Sequence, residues 1–234
     1  MTVESQNALF EDQEFTNEYE KMIAAIIPGY NLMFEAAGTF LSNVHEEAHL
    51  LIVGAGGGKE LSLFGSSHPN WIFTGVDPSQ PMLEFALEKV EHLGMNERVQ
   101  LVKGFVEEIP QEVNFDAATC MLVLHFLPDD QSKLALLENI KNRLKPGAPL
   151  LLSVPYGDKE SPEYKKIMEA SEQFYRSKGV SKDMIQEHFD RIQNDVSILS
   201  EEKIKRLLEQ AGFEMVTQFF TSFNFGGWYT KRKA

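Results

Sequence analysis

The run Leu50-Leu51-Ile52-Val53-Gly54-Ala55-Gly56-Gly57-Gly58, followed by an acid at Asp77, constrains this chain more than any other feature. Four consecutive apolar residues suit a strand covered on both faces, as in a parallel sheet packed between helix layers. The glycines let the backbone turn tightly and approach a ligand with no Cβ in the way. Asp77 closes a second apolar stretch, Trp71-Ile72-Phe73-Thr74-Gly75-Val76. An acid about twenty residues beyond such a turn is where an open α/β sheet grips a ribose. The pair reads as a site for a nucleoside-bearing cofactor.

Glycine spacing narrows the choice. A dinucleotide fingerprint needs a glycine where Lys59 stands. A P-loop needs a glycine at the place of Val53 and a hydroxyl at the place of Glu60. What is left, Gly-x-Gly-Gly-Gly after one strand and an acid ending the next, resembles the class I S-adenosylmethionine-dependent methyltransferases. The resemblance implies a doubly wound, Rossmann-like α/β sheet of seven strands, the last antiparallel, with N-terminal helices and a helical insertion after the fifth strand. It implies S-adenosylmethionine as cofactor and S-adenosylhomocysteine as product.

At 234 residues the chain is long enough to bury one good core. The net charge of −13 repels phosphate backbones, so a small-molecule acceptor is expected and direct nucleic-acid binding is not. The short basic run Lys231-Arg232-Lys233 reads as a solvated tail. No apolar stretch approaches the roughly 18 residues of a membrane span. Residues Met1 to Gln6 lack the basic-then-apolar order of a signal peptide. The single cysteine, Cys120, fits a reducing compartment, and a cytoplasmic location is the expectation.

Periodicity divides one methyltransferase-like domain, residues 1–234, into successive segments. Residues 1–47 form a helical segment: a polar, fraying first dozen, then two helices broken at Pro28-Gly29. Residues 48–154 alternate strands (His49–Val53, Trp71–Val76, Val99–Val102, Ala117–Met121, Leu150–Val154) with helices (Lys59–Gly65, Pro81–Leu93, Asp130–Leu144). The second of these helices carries an apolar stripe at Leu83, Leu87 and Val90. Residues 155–199 are charged, with scattered aromatics, and read as a helical lid over the site or as a peripheral hairpin. Residues 200–234 give a helix and an alternating strand pair, Phe213–Phe220 and Phe223–Tyr229.

On the methyltransferase resemblance, Gly54, Ala55 and Gly56 lie against the methionine of the cofactor, Asp77 accepts from the ribose hydroxyls and Pro78 flanks the adenine. After the third strand the family has Gly-Asp; here Gly104-Phe105-Val106 offers two apolar residues for adenine. The family's acid two residues before the first glycine is replaced by Ile52. Closer similarity lies in Ile27-Pro28-Gly29-Tyr30, Val123–Leu127 and Phe223-Asn224-Phe225-Gly226, which resemble the carboxy-S-adenosylmethionine synthase family. That family shares the fold and makes a carboxylated cofactor from S-adenosylmethionine and prephenate for tRNA wobble-uridine modification. By this resemblance Tyr30 approaches the cofactor from the N-terminal helices, although a plain helix-start role fits the sequence equally, and a homodimer is the implied assembly. Two departures point back to ordinary methyl donation. The family's Asn after the fourth strand is Met121, a cofactor contact here, and its carboxylate-holding arginine falls at Phe189, two residues from Arg191.

His125, after the fourth strand, is the candidate base, since histidine titrates near neutral pH; a packing residue under the loop is the plain alternative. Glu107 and Glu108 read as solvated turn acids, and Cys120 as buried filler. His45-Glu46-Glu47-Ala48-His49 matches the zinc-protease pattern H-E-x-x-H, but a helix must end before Leu50, which separates the two histidines, so no metal site is expected. Three functions are thus on the table: methyl transfer to a small acceptor, carboxylated-cofactor synthesis, and non-catalytic cofactor binding as a regulator.

Overall fold

The computed structural model describes residues 13–234, with side chains from Glu20 onward; the fraying expected of the first dozen residues lies outside the described residues. Two helices open the chain, α1 (Gln13–Ile26) and α2 (Tyr30–Thr39), separated by Gly29, whose φ of 77° no β-branched residue would favour. Strands and helices then alternate: β1 (His49–Val53), α3 (Lys59–Ser67), β2 (Ile72–Asp77), α4 (Gln80–His92), β3 (Val99–Lys103), β4 (Ala117–Met121), α5 (Asp130–Arg143) and β5 (Pro149–Pro155). An insertion of α6 (Pro162–Ser177) and α7 (Lys182–Asn194) leads to α8 (Glu201–Gln210), β6 (Phe213–Ser222) and β7 (Phe225–Arg232). Serine or aspartate side chains cap the N-termini of α4 to α8, so the helix starts are written in single residues (Ser79, Asp129, Ser161, Ser181, Ser200).

One seven-stranded sheet has the order β3-β2-β1-β4-β5-β7-β6, with β7 antiparallel to both neighbours. This is the expected doubly wound sheet. The apolar run of β1 explains its place at the centre. Leu50 and Ile52 join a core shared with α2, α3 and α4, while Leu51 and Val53 join one shared with α5 and α8 on the other face. Each fully buried Leu, Ile or Val contributes about 1.5–3 kcal/mol, so a strand with no polar face is anchored from both sides. The order reverses between β1 and β4, and a crevice opens at the strands' carboxyl ends there.

Two local expectations change, at Leu87 and in β7, and the separation of His45 from His49 is as expected. Leu87 is 44% exposed; α4 instead buries Met82, Leu83, Ala86 and Val90, because Ala86 packs under the glycine turn at Gly58. Strand β7 does not alternate, since it is threaded between β5 and β6 and is covered on both faces. His49 opens β1 and His45 lies in the turn before it, so the two never share a helical face; the His49 ring bonds the Thr74 hydroxyl at 2.8 Å. No helix among the described residues is long and apolar enough to cross a membrane.

Candidate active site

The switch-point crevice is a cavity of about 560 Å³, within the usual ~300–1,000 Å³ of small-molecule sites. Its floor is made by the ends of the central strands: Val53 and Gly54 after β1, Val76 and Asp77 of β2, Gly104 after β3 and Met121 of β4. Tyr30 and Phe34 of α2 wall one side, and Phe126, Leu127 and Leu136 another. Most of the lining is apolar.

The glycine turn is shaped by what surrounds it. Gly54 has a φ of 76°, and a Cβ there would overlap Val123 Cγ2. A Cβ on Gly56 would sit 2.7 Å from Asp77 Oδ2 and 2.8 Å from Met82 Cβ. Instead the Gly56 N–H donates to Asp77 Oδ2 at 2.9 Å, and the Ser79 N–H donates to Oδ1 at 2.9 Å. These two backbone donors help to fix the carboxylate at the end of β2, where it borders the cavity. Gly75 inside β2 is needed for the same packing, because a Cβ there would come within 2.6 Å of Ala55 Cβ.

Of the sequence-predicted residues, Tyr30, Gly54, Gly56, Asp77, Pro78, Phe105, Val106 and Met121 line this one cavity. Tyr30 is at once the first residue of α2 and a wall of the cavity; its ring packs edge-on to Phe34 at 5.1 Å, with Lys59 Nζ 5.6 Å above it. Phe105, at 48% exposure, is an aromatic ring standing at the rim. Ala55 does not line the cavity: its side chain is fully buried behind the turn, so only its backbone can serve a ligand. Glu107 and Glu108 are exposed as expected but border the opening.

His125 is not brought to the cavity. It is 8% exposed, its ring lies 4.1 Å from that of Phe126, and its Nδ1 has no hydrogen-bond partner among the described residues. Burial, and then the nearby Lys133 charge, push its pKa down to about 3. A base must reach the proton it takes, and Phe126 and Leu127 form the wall where His125 was expected. The imidazole resonances of His125 are expected to stay constant from about pH 5 to 8. A titration midpoint inside that window by NMR would return the residue to the chemistry.

The insertion also supplies no residue to the cavity lining. Its helices pack on α1 instead, where Met22, Tyr175, Ile185 and Arg191 enclose a separate small pocket. Arg191 is ion-paired with Glu187 within α7. Two lining residues carried no sequence signal. Glu60, in the first turn of α3, is 4% exposed; burial raises its carboxyl to about 7 against the lowering effects of its own backbone N–H, the Thr119 hydroxyl and the charges of Lys59 and Lys89. Leu122 holds a left-handed φ of 60°, kept there by its N–H, which donates to the carbonyl and hydroxyl of Ser153 at 2.8 and 3.1 Å.

Residues 51–150 match the family model described as a methyltransferase domain. The chain is 28% identical over 218 residues to the carboxy-S-adenosyl-L-methionine synthase of Actinobacillus succinogenes, covering 92% of this chain and 90% of that protein. The corresponding protein of Aeromonas salmonicida is 26% identical, with 92% and 87% covered. Among solved structures, human N-acetylserotonin methyltransferase in complex with S-adenosylmethionine superposes with a TM-score of 0.65 at 17% identity, over 97% of this chain and 59% of that one. An O-methyltransferase family protein from Burkholderia thailandensis gives 0.67 at 12% identity, over 98% and 63%. The chain therefore spans less than two thirds of these solved structures, but nearly the whole length of the two synthases.

Proposed function

We propose that this chain, a class I S-adenosylmethionine-dependent methyltransferase, moves the methyl group onto a small, largely apolar acceptor bound in the switch-point cavity. The observation that carries the reading is the Asp77 carboxylate, held by the N–H groups of Gly56 and Ser79 at the edge of an apolar cavity. It is shaped to accept from a vicinal diol, as a ribose presents. In this reading the backbone from Gly54 to Gly56 lies along the methionine, close because Gly54 and Gly56 carry no Cβ and that of Ala55 is buried behind the turn. Pro78, Phe105 and Val106 pack the adenine, and Met121 and Tyr30 bound the space beyond. Bound there, S-adenosylmethionine supplies a methyl group on a sulfonium, an electrophile that needs alignment more than acid–base help. The residues of the chain orient the reactants and keep water out; among the described residues no histidine lines the cavity to take a proton.

The likeness to the carboxy-S-adenosylmethionine synthases along nearly the whole chain favours a second reading, synthesis of the carboxylated cofactor. Against it, no arginine lines the cavity among the described residues, and its lining cation, Lys59, faces Glu20 at 3.4 Å. An added carboxylate calls for a bidentate cation, so ordinary methyl donation is the better fit. The charge of −13 supports a small-molecule acceptor over a nucleic acid. A cytoplasmic location fits the single, buried Cys120, whose thiol burial pushes up to about 12, and a homodimer is carried by the resemblance. Mass spectrometry of the nucleoside that co-purifies with the protein tests both readings. S-adenosylmethionine or its demethylated product is expected, and a cofactor heavier by one carboxyl group would overturn methyl donation.

A further inference from the structure

Glu60 is the buried carboxylate of the cavity that the reading above leaves without a task. The first turn of α3 carries it, just past the glycine turn, and its backbone position points the side chain into the cavity floor beside β4. Its side-chain partner is a single hydroxyl, that of Thr119, at the long distance of 3.4 Å. The two nearby cations are spent elsewhere: Lys59 and Lys89 both reach Glu20 on α1, at 3.4 and 2.6 Å. A carboxylate with 4% exposure, supported by its own backbone N–H and one long hydroxyl contact but by no direct ion pair among the described contacts, is costly to keep charged unless a counter-charge joins it. The cavity is where that counter-charge can come from.

Resting on the methyltransferase reading, we infer that Glu60 receives the α-ammonium group at the amino-acid end of the cofactor. Asp77 and Glu60 then divide the ligand. One carboxylate takes the sugar at the end of β2, the other the ammonium on the far side of the Gly54–Gly58 turn, toward β4. The chemistry matches at both ends: a neutral diol meets a carboxylate already tethered by two N–H groups, and a cation meets one that lacks a counter-charge. Glu60 is a binding residue in this account. The other ionisable groups facing it are Lys59 beside it, Lys89 from α4 and the Cys120 thiol on β4. None of these supplies a direct ion pair among the described contacts.

Calorimetry with three ligands and two proteins tests the assignment. The ligands are S-adenosylhomocysteine, its analogue with the amine replaced by hydrogen, and 5′-methylthioadenosine, which keeps the nucleoside alone. Wild-type protein is expected to bind S-adenosylhomocysteine about 10- to 100-fold more tightly than the deaminated analogue, the range of a charge-assisted hydrogen bond. Glu60→Gln abolishes that preference and leaves affinity for 5′-methylthioadenosine unchanged. Binding of S-adenosylhomocysteine to wild type near pH 6 also releases close to one proton, because the ammonium favours the ionised carboxylate, and Glu60→Gln releases none. The inference is overturned if Glu60→Gln weakens all three ligands equally or leaves the preference for the amine intact. If wild-type protein binds no nucleoside at all, the function itself falls and takes this assignment with it.

Discussion

Asp77→Ala lowers affinity for S-adenosylhomocysteine by about a hundredfold or more. Two hydrogen bonds to a charged acceptor are lost, each worth about 1.5–3 kcal/mol. The substitution also strands the N–H groups of Gly56 and Ser79, which in the native turn both donate to this carboxylate at 2.9 Å. The turn loses the anchor that sets its shape, so the loss exceeds that of a simple contact. Asp77→Asn separates the two effects. The amide keeps the volume and one acceptor oxygen, but its NH2 group must face one of the two backbone donors. A loss of about tenfold is expected, between wild type and alanine. Because Asp77 is only half-buried, both variants should keep most of their thermal stability. Calorimetry alongside a melting curve checks the claim. A folded Asp77→Ala protein that binds within threefold of wild type would remove the ribose from this position.

Much of this arrangement was legible in the sequence because its signals are local. Four apolar residues without a polar face require cover on both sides, and β1 has it, with Leu50 and Ile52 in one core and Leu51 and Val53 in the other. Periodicity and breakers placed several elements nearly to the residue: β1 spans His49–Val53, α5 begins at Asp130, and Gly29 divides α1 from α2. The glycines and Asp77 could be brought to one place because a strand, a tight turn and a helix leave few geometries open.

What escaped was set by contacts distant in sequence. Glu60 looks like any first-turn acid at a helix N-terminus, where exposure is the rule. Only the crossing of β4, which brings Thr119 beside it, shows that it is buried. Leu122 gives no turn signal, yet it is held left-handed by Ser153, thirty-one residues on in the neighbouring strand. His125 failed in the opposite direction. Its place after β4 was read correctly, but the short 3₁₀ turn Leu124–Phe126 sends neighbouring residues to different sides, with Phe126 at the cavity and His125 in the interior. Side-chain direction in such a turn changes with every residue, and no periodicity in the sequence records it.

The two glycines that shape the turn are expected to fail in different ways when substituted. Gly56→Ala abolishes cofactor binding, by about a hundredfold or more, while the protein stays folded. Gly56 is not among the residues with positive φ, so its backbone accepts a side chain; the obstruction is Asp77 Oδ2 at 2.7 Å and Met82 Cβ at 2.8 Å. Rotation of the half-buried carboxylate relieves the first contact but breaks its bond from the Gly56 N–H, and the second, to a Cβ that no rotamer moves, shifts the turn away from α4; both forfeit what Asp77 contributes. Gly54→Ala costs stability instead. A left-handed φ of 76° penalises any Cβ by about 1–2 kcal/mol, and overlap with Val123 adds about 1–3 kcal/mol. At about 2–4 °C per kcal/mol for a domain of this size, the midpoint should fall by roughly 4–20 °C. Adding Val123→Ala to Gly54→Ala opens the space and should recover the overlap portion, leaving only the backbone penalty. Melting curves and S-adenosylhomocysteine binding for the three variants separate the cases. Normal binding by Gly56→Ala would mean that the Asp77 carboxylate, as oriented by this turn, is not what holds the ligand.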